Sequence, residues 1–273
     1  MRSAQLAQTQ HNFPLPFLTT LHLRNLAAVR GWDRLLMSAR DCYLWCGLYD
    51  RLRQTLPDMP PASYFYTSRT ARAYPSPDYL AYFASLRSGR RNVVVDLIGT
   101  GWSLRRLIEE APEPKTEIFL LHWANNPDWL AHRAQYGGLK SPIDVVSVVQ
   151  GTPPSHDIPV LEQLNLAPHA SVEDVRAVPQ GFQPVLSPIV YTPPMFEFIE
   201  SHHQAFARAT QLAAAITKGD LLKMADRDLP AAIEKVYGRF VELRGEFGAY
   251  ADYRYREEQM VWQRIGQALR LSA

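Results

Sequence analysis

Residues 93–104 read Val93-Val94-Val95-Asp96-Leu97-Ile98-Gly99-Thr100-Gly101-Trp102-Ser103-Leu104, and they decide the fold class. A run of β-branched apolar residues, expected as a strand over Asn92 to Asp96, ends in an acid. It is followed by a loop with two glycines and two hydroxyls, then by a helix expected over Leu104 to Glu110. An α/β sheet presents an anion site in this way. The strand is buried, the loop lies at its carboxyl end, and the N–H groups opening the helix face the ligand. Gly99 and Gly101 allow close backbone approach, Thr100 and Ser103 offer hydroxyl donors, and Asp96 sits where a sugar hydroxyl would be if the anion were a sugar phosphate. An ordinary strand–loop–helix turn that uses glycine only for its geometry is the alternative.

The pattern repeats on both sides. Upstream, Arg34 to Met37 reads as a buried strand leading through Ser38-Ala39-Arg40-Asp41 into a helix over Cys42 to Leu52. Ser63 to Tyr66 reads as a second strand ending in the polar turn Thr67 to Arg72, with a helix over Tyr79 to Leu86. Downstream, Glu117 to His122 and Asp144 to Val149 read as further strands. Alternating strands and helices at this spacing imply βαβ units, hence an α/β fold with a mainly parallel sheet. Three strand ends, 38–41, 67–72 and 96–103, carry polar residues suited to phosphate and are expected to converge on one crevice.

The segment 1–30 reads as helical, chiefly through an amphipathic stretch over Pro16 to Arg30, and 31–194 as the α/β core. Within that core Gly151 to Pro194 reads as proline-rich and irregular, with a strand at Gln183 to Leu186. A helical subdomain is expected over 195–273, with helices at Phe196 to Ile216, Leu229 to Phe247 (Asp228 as N-cap) and Tyr250 to Leu271. The 273 residues are 47% apolar and 21% charged, the composition of a globular protein rather than a disordered chain. A net charge of +2 and the absence of long basic runs argue against a nucleic-acid partner. Met1 to Asn12 has no apolar core of a secretory signal, and no stretch approaches the ~18 apolar residues of a membrane span. The expected location is cytoplasmic, with Cys42 and Cys46 as reduced thiols on one helix.

Residues 93–104 resemble the phosphoribosyl pyrophosphate (PRPP) loop of type I phosphoribosyltransferases: an apolar strand, two successive acids, three residues, then Thr-Gly-x-Thr/Ser. Asp96 matches the second acid and Thr100-Gly101-Trp102-Ser103 the closing element, while Val95 replaces the first acid. The order of elements also fits that family, with a pyrophosphate-contacting loop at Leu35 to Asp41 and a basic residue after the next strand, at Tyr64 to Arg69. Over about residues 15 to 190 the chain is most similar to the polysaccharide-associated branch, whose transferase module is often fused to a haloacid-dehalogenase-like phosphatase. The carrying segments are Ser38-Ala39-Arg40-Asp41-Cys42-Tyr43-Leu44, Tyr64-Phe65-Tyr66-Thr67-Ser68-Arg69, Leu161-Glu162-Gln163-Leu164 and Ala167-Pro168-His169. An extra residue separates Ser38 from Arg40, Cys42 replaces a glycine, and no phosphatase portion is present.

The resemblance implies a sheet of the type I phosphoribosyltransferase kind with a helical C-terminal extension, and Mg²⁺-dependent transfer of 5-phosphoribosyl from PRPP to a sugar hydroxyl of a glycan or glycolipid. A separate phosphatase would trim the product. Loss of pyrophosphate from the ribose C1 develops oxocarbenium character, which requires a neutralised leaving group and a rigidly held ribose. Arg40, Arg69 and Arg72 would stabilise the pyrophosphate, Ser68 and the Gly99 to Ser103 backbone the phosphates, and Asp96 the ribose hydroxyls. Asp41 would be the general base or, with Asp96, a Mg²⁺ ligand; it reads equally as an N-cap for the helix at Cys42. Glu162 and His169 are acceptor-site residues by resemblance alone. Trp102 suits sugar stacking or core packing, and His122, Trp123, Asn125 and Asn126 could line the acceptor side. Taken singly, each arginine reads as a solvated charge. The adjacent His202 and His203 would point different ways on a helix. Two other functions fit the chain: nucleobase salvage, against which the missing first acid argues, and a non-catalytic PRPP- or nucleotide-binding module.

Overall fold

The computed structural model describes residues 2–134, 138–142, 144–151, 157–187, 191, 193–241 and 263. Its centre is a five-stranded sheet of order β2-β1-β3-β4-β5, formed by Arg34–Ser38 (β1), Ala62–Phe65 (β2), Arg91–Gly99 (β3), Lys115–Trp123 (β4) and Val146–Gln150 (β5). Every neighbouring pair is parallel. The chain leaves β1 toward β2 on one side and returns to β3 on the other, so the topological switch falls between β1 and β3. Ligands of open α/β sheets bind outside the strand carboxyl ends at such a point.

Alternation along the buried strands divides the core in two. Leu35, Met37, Val93, Val95, Leu97, Phe119 and Leu121 face a layer formed by Pro14–Arg30 (α2), Tyr43–Thr55 (α3) and later helices. Leu36, Val94, Ile118 and Leu120 face Pro77–Leu86 (α5) and Trp102–Glu110 (α6). Val93, Val94, Val95 and Leu97 are fully buried; each such side chain contributes about 1.5–3 kcal/mol relative to exposure. At its far end the sheet is secured by Asp33, whose Oδ2 accepts the N–H groups of Arg90 and Arg91 at 2.6 and 2.9 Å.

The N-terminal segment is helical, as expected, and begins earlier than the amphipathic stretch: Arg2–Ala7 (α1) runs through a π-helical turn at Gln8–Asn12 into α2. Two expectations are corrected. The strand carrying Asp96 does not end there but continues through Leu97, Ile98 and Gly99, with Ile98 opposite His122 and Gly99 opposite Trp123. The apolar Leu97 and Ile98 prolong a strand buried on both faces. Within the region 151–194 the described residues are more regular than expected, and the strand expected at Gln183 to Leu186 is present. The region holds Asp157–Leu164 (α8) and an antiparallel hairpin of Val172–Val178 (β6) and Gly181–Leu186 (β7). Val172 and Val175 join the second core, and Ser76 and Asp78 of the α5 start bond Asp174 and the Ala177 N–H.

The remaining helices are Arg69–Ala73 (α4), Pro127–Ala134 (α7), Pro193–Ala214 (α9), Lys218–Ala225 (α10) and Leu229–Val241 (α11). The last three share the first core through Phe206, Leu221, Ile233 and Tyr237. The α10 helix was not anticipated; Asp228 does cap α11, accepting the Ala231 N–H at 3.2 Å. The expected continuation to Phe247 and the helix over Tyr250 to Leu271 lie outside the described residues. Cys42 and Cys46 are buried free thiols whose ionisation burial opposes, with Cys46 pushed up to about 12. Among the described residues no helix is long and apolar enough to cross a membrane.

Candidate functional site

Position 96 places a carboxylate inside a buried strand, and the fold answers it with an arginine from the end of β2. Asp96 Oδ2 accepts a hydrogen bond from Arg72 Nη1 at 3.3 Å, and Oδ1 accepts the Leu97 N–H at 2.9 Å. Burial raises the Asp96 pKa, and the Arg72 charge opposes that rise. Arg72 is itself buried, and among the described residues its Nε has no hydrogen-bond partner. The isolated-surface reading of Arg72 is thereby excluded.

The turn after β2 is a short helix, α4, rather than a loop. Ser68 is its N-cap, with Oγ accepting the Ala71 N–H at 3.2 Å, so this oxygen serves the backbone first. Arg69 opens the helix and lies 4.0 Å from Glu162 of α8, a buried acid whose charge also bears on Asp96. The resemblance-based choice of Glu162 therefore falls beside the two arginines.

The third strand end holds Arg40 and Asp41, both buried, after a cis Ala39–Arg40 peptide bond. Asp41 is not the helix cap; that position belongs to Cys42, which has no side-chain capping bond and whose Sγ donates to the Val95 carbonyl at 3.5 Å. Arg40 Nη1 donates to the Tyr191 hydroxyl at 3.2 Å, which donates to the His169 carbonyl at 3.1 Å. His169 Nδ1 lies 2.8 Å from the Ala170 carbonyl, which can only accept, so Nδ1 carries the proton. Nε2 then accepts from the Tyr64 hydroxyl at 2.8 Å, and burial lowers the His169 pKa, keeping the ring neutral.

The glycine loop is shorter and more committed than its sequence suggests. Gly99 closes β3. Thr100 Oγ1 accepts the Trp102 N–H at 3.3 Å, and the Thr100 carbonyl accepts from Trp123 Nε1 at 3.2 Å. Gly101, at φ +77°, caps α6, a conformation that favours glycine. The expectation that the whole Gly99 to Ser103 backbone faces a phosphate is corrected: the Trp102 N–H is already spent on Thr100. Ser103 is buried in the first turn of α6, and Trp102 is only 3% exposed, so its indole packs rather than offering a stacking face. The Arg106 guanidinium lies 5.5 Å from the Trp102 ring.

His122 does not line an acceptor side. Nδ1 meets the Tyr237 hydroxyl at 2.6 Å and Nε2 the Gly151 carbonyl at 3.2 Å, anchoring α11 to the sheet. Asn126 Oδ1 accepts the Asp128 N–H at 2.8 Å at the start of α7, and the Asn125 N–H turns back to the Trp123 carbonyl. His202 and His203 diverge: the former packs on Phe198, and the latter bonds the Leu166 carbonyl and stacks on Tyr43.

Each Asp96 oxygen accepts one protein hydrogen bond and keeps a further lone pair, so the carboxylate is anchored without being closed to Mg²⁺. Among the described residues no cluster of three His, Cys, Asp or Glu side chains could hold a metal. Mg²⁺ normally takes one or two carboxylates together with substrate phosphates, a demand that Asp41 and Asp96 would meet. Tyr191 and the aromatic group Tyr43, Tyr64, Tyr66 and His203 were not foreseen as site residues. Tyr64 and Tyr66 carry the available signal, since a spacing of two in extended chain, here at and just past the end of β2, brings the two rings to one side.

Comparison of the chain with protein-family models and with curated proteins returned no match.

Proposed function

We propose that the chain is a phosphoribosyltransferase that moves 5-phosphoribosyl from PRPP to a sugar hydroxyl of a glycan or glycolipid. The observation that carries this reading is the convergence of Arg72 on Asp96 and of Arg69 on Glu162, beside Arg40 and Asp41 at the sheet's switch point. A guanidinium has five N–H donors, so an arginine holding one carboxylate can still meet phosphate oxygens, and among the described residues Arg72 Nε has no acceptor. The all-parallel α/β sheet supports the reading only at the level of fold class.

In this reading the bond from ribose C1 to the pyrophosphate oxygen breaks as the acceptor oxygen bonds to C1. Asp41 takes the acceptor's proton, and Arg40, Arg69 and Arg72 neutralise the leaving pyrophosphate. When bound, Mg²⁺ would be held mainly by PRPP oxygens and would help neutralise the pyrophosphate, with Asp41 as its protein ligand only in place of the role as base. The product keeps its 5-phosphate, which a separate phosphatase would remove. Incubation with PRPP, Mg²⁺ and a panel of glycan acceptors should release pyrophosphate and yield a phosphopentose adduct; no adduct and no PRPP binding would refute the reading. Val95 in place of the family's first acid favours one alternative, a PRPP- or nucleotide-binding module without turnover. Tight binding with no release of pyrophosphate selects it.

A further inference from the structure

Two groups stand out among the described tyrosines. Tyr49, Tyr79 and Tyr82 are buried in the cores, as bulky aromatics ordinarily are. Tyr43, Tyr64 and Tyr66 instead gather with His169 and His203 in one partly open cluster. Tyr64 makes edge contacts with Tyr43, Tyr66 and His169 at centroid distances of 5.6, 5.1 and 5.8 Å. Tyr43 stacks on His203 at 5.4 Å and is 38% exposed.

The polar atoms at the back of this cluster are used internally. The Tyr64 hydroxyl bonds His169 Nε2, His169 Nδ1 bonds the Ala170 carbonyl, and His203 Nε2 bonds the Leu166 carbonyl. Burial lowers the pKa of both histidines, so the cluster carries no charge of its own near neutrality. The exposed Tyr43 and the half-buried Tyr66 are its outward part. It abuts the catalytic edge, because the charges of Asp41 and Arg40 both act on the Tyr64 phenol and Arg40 reaches His169 through Tyr191.

We propose that Tyr43, Tyr64, Tyr66 and His169 form the acceptor subsite and take an uncharged pyranose ring, its apolar C–H face against the aromatic rings and one hydroxyl directed at Asp41. This rests on the phosphoribosyl-transfer reading and divides the site. The arginine–carboxylate pairs hold the donor, the aromatic group holds the acceptor, and Arg40 and Asp41 stand between them. A neutral aromatic platform distinguishes a sugar from the phosphate-bearing donor, which would gain nothing there.

The test uses the full chain with methyl β-D-glucopyranoside, methyl β-D-galactopyranoside and methyl N-acetyl-β-D-glucosaminide as probes. Saturation-transfer NMR reads sugar binding, and calorimetry reads PRPP binding in parallel. Transfer to the ring protons of at least one glycoside is expected, weakened about tenfold in Tyr43→Ala and Tyr66→Ala with PRPP affinity unchanged. Tyr43→Phe and Tyr66→Phe, which keep the ring, should retain it. The subsite is overturned if no glycoside receives transfer from the wild-type chain, or if the alanine variants bind as well as wild type. PRPP binding without sugar binding removes the subsite and leaves the donor reading standing; sugar binding without PRPP binding keeps a sugar site and removes phosphoribosyl transfer.

Discussion

Arg72 and Asp96 are a buried ion pair, 3.3 Å apart, linking the end of β2 to the middle of β3 across the intervening β1. Removing one partner strands the other charge in a low-dielectric site. Arg72→Ala should therefore cost about 3–5 kcal/mol of stability. The double change Arg72→Met with Asp96→Leu should recover most of it. Urea denaturation of the three proteins checks both, and a loss under 1 kcal/mol for Arg72→Ala would show that the pair is not buried as described.

Gly89 and Gly31 make a controlled comparison. Both have φ near +69°, but a Cβ on Gly89 would lie 2.5 Å from Asp33 Oδ2, whereas a Cβ on Gly31 meets nothing within 4 Å. The Asp33 carboxylate cannot yield without releasing the Arg90 and Arg91 N–H groups. Gly31→Ala should cost about 1 kcal/mol from backbone conformation alone, and Gly89→Ala should cost clearly more. Thermal melts giving equal losses would contradict the contact.

His202 is 1% exposed, and neither ring nitrogen has a hydrogen-bond partner among the described residues. Burial pushes its pKa down to about 3, below the value of the unfolded chain. The unfolded state then binds the proton more readily, so stability is full above about pH 6.5 and falls as pH drops toward 3. His122, His169 and His203 are lowered by burial as well and act in the same direction. Urea midpoints at pH 7.5 and 5.0 should show the loss. His202→Leu should reduce it and, by removing two unsatisfied nitrogens, stabilise the chain at pH 7.5 by about 1–2 kcal/mol.

Asp41 is buried at a strand end without serving as the helix cap, and the isosteric Asp41→Asn is the replacement that disturbs its surroundings least. If it is the general base, Asp41→Asn should lower phosphoribosyl transfer by about 10²–10⁴-fold while leaving PRPP affinity within a few fold. Equal losses in binding and turnover would assign it to Mg²⁺ or donor binding instead.

The parallel sheet and the three strand ends were legible because they rest on local signals: β-branched runs, breaker-rich turns and the spacing between them. The Val93 to Val95 run and the Ser38 to Asp41 turn lie where the pattern puts them. The strand's continuation past Asp96 was hidden because a buried acid is tolerated mid-strand only through Arg72, and that pairing is a tertiary fact. Of the β6–β7 hairpin only the Gln183 to Leu186 stretch was legible, with Pro184 inside it as an edge strand accepts, while β6 was masked by the proline-rich surroundings. The α10 helix left a usable trace, since Thr217 caps the Asp220 N–H in a Thr-x-x-Asp arrangement. Tyr191 left none: its place beside Arg40 depends on how residues 151 apart in the chain are brought together.

Calorimetric titration of the chain with PRPP in the presence of Mg²⁺ tests the central claim most directly. Saturable one-to-one binding is expected, competed by pyrophosphate and by ribose 5-phosphate and weakened at least tenfold in Arg69→Ala. A folded chain that gives no PRPP binding at millimolar concentration, or that binds equally well without Arg69, would contradict it.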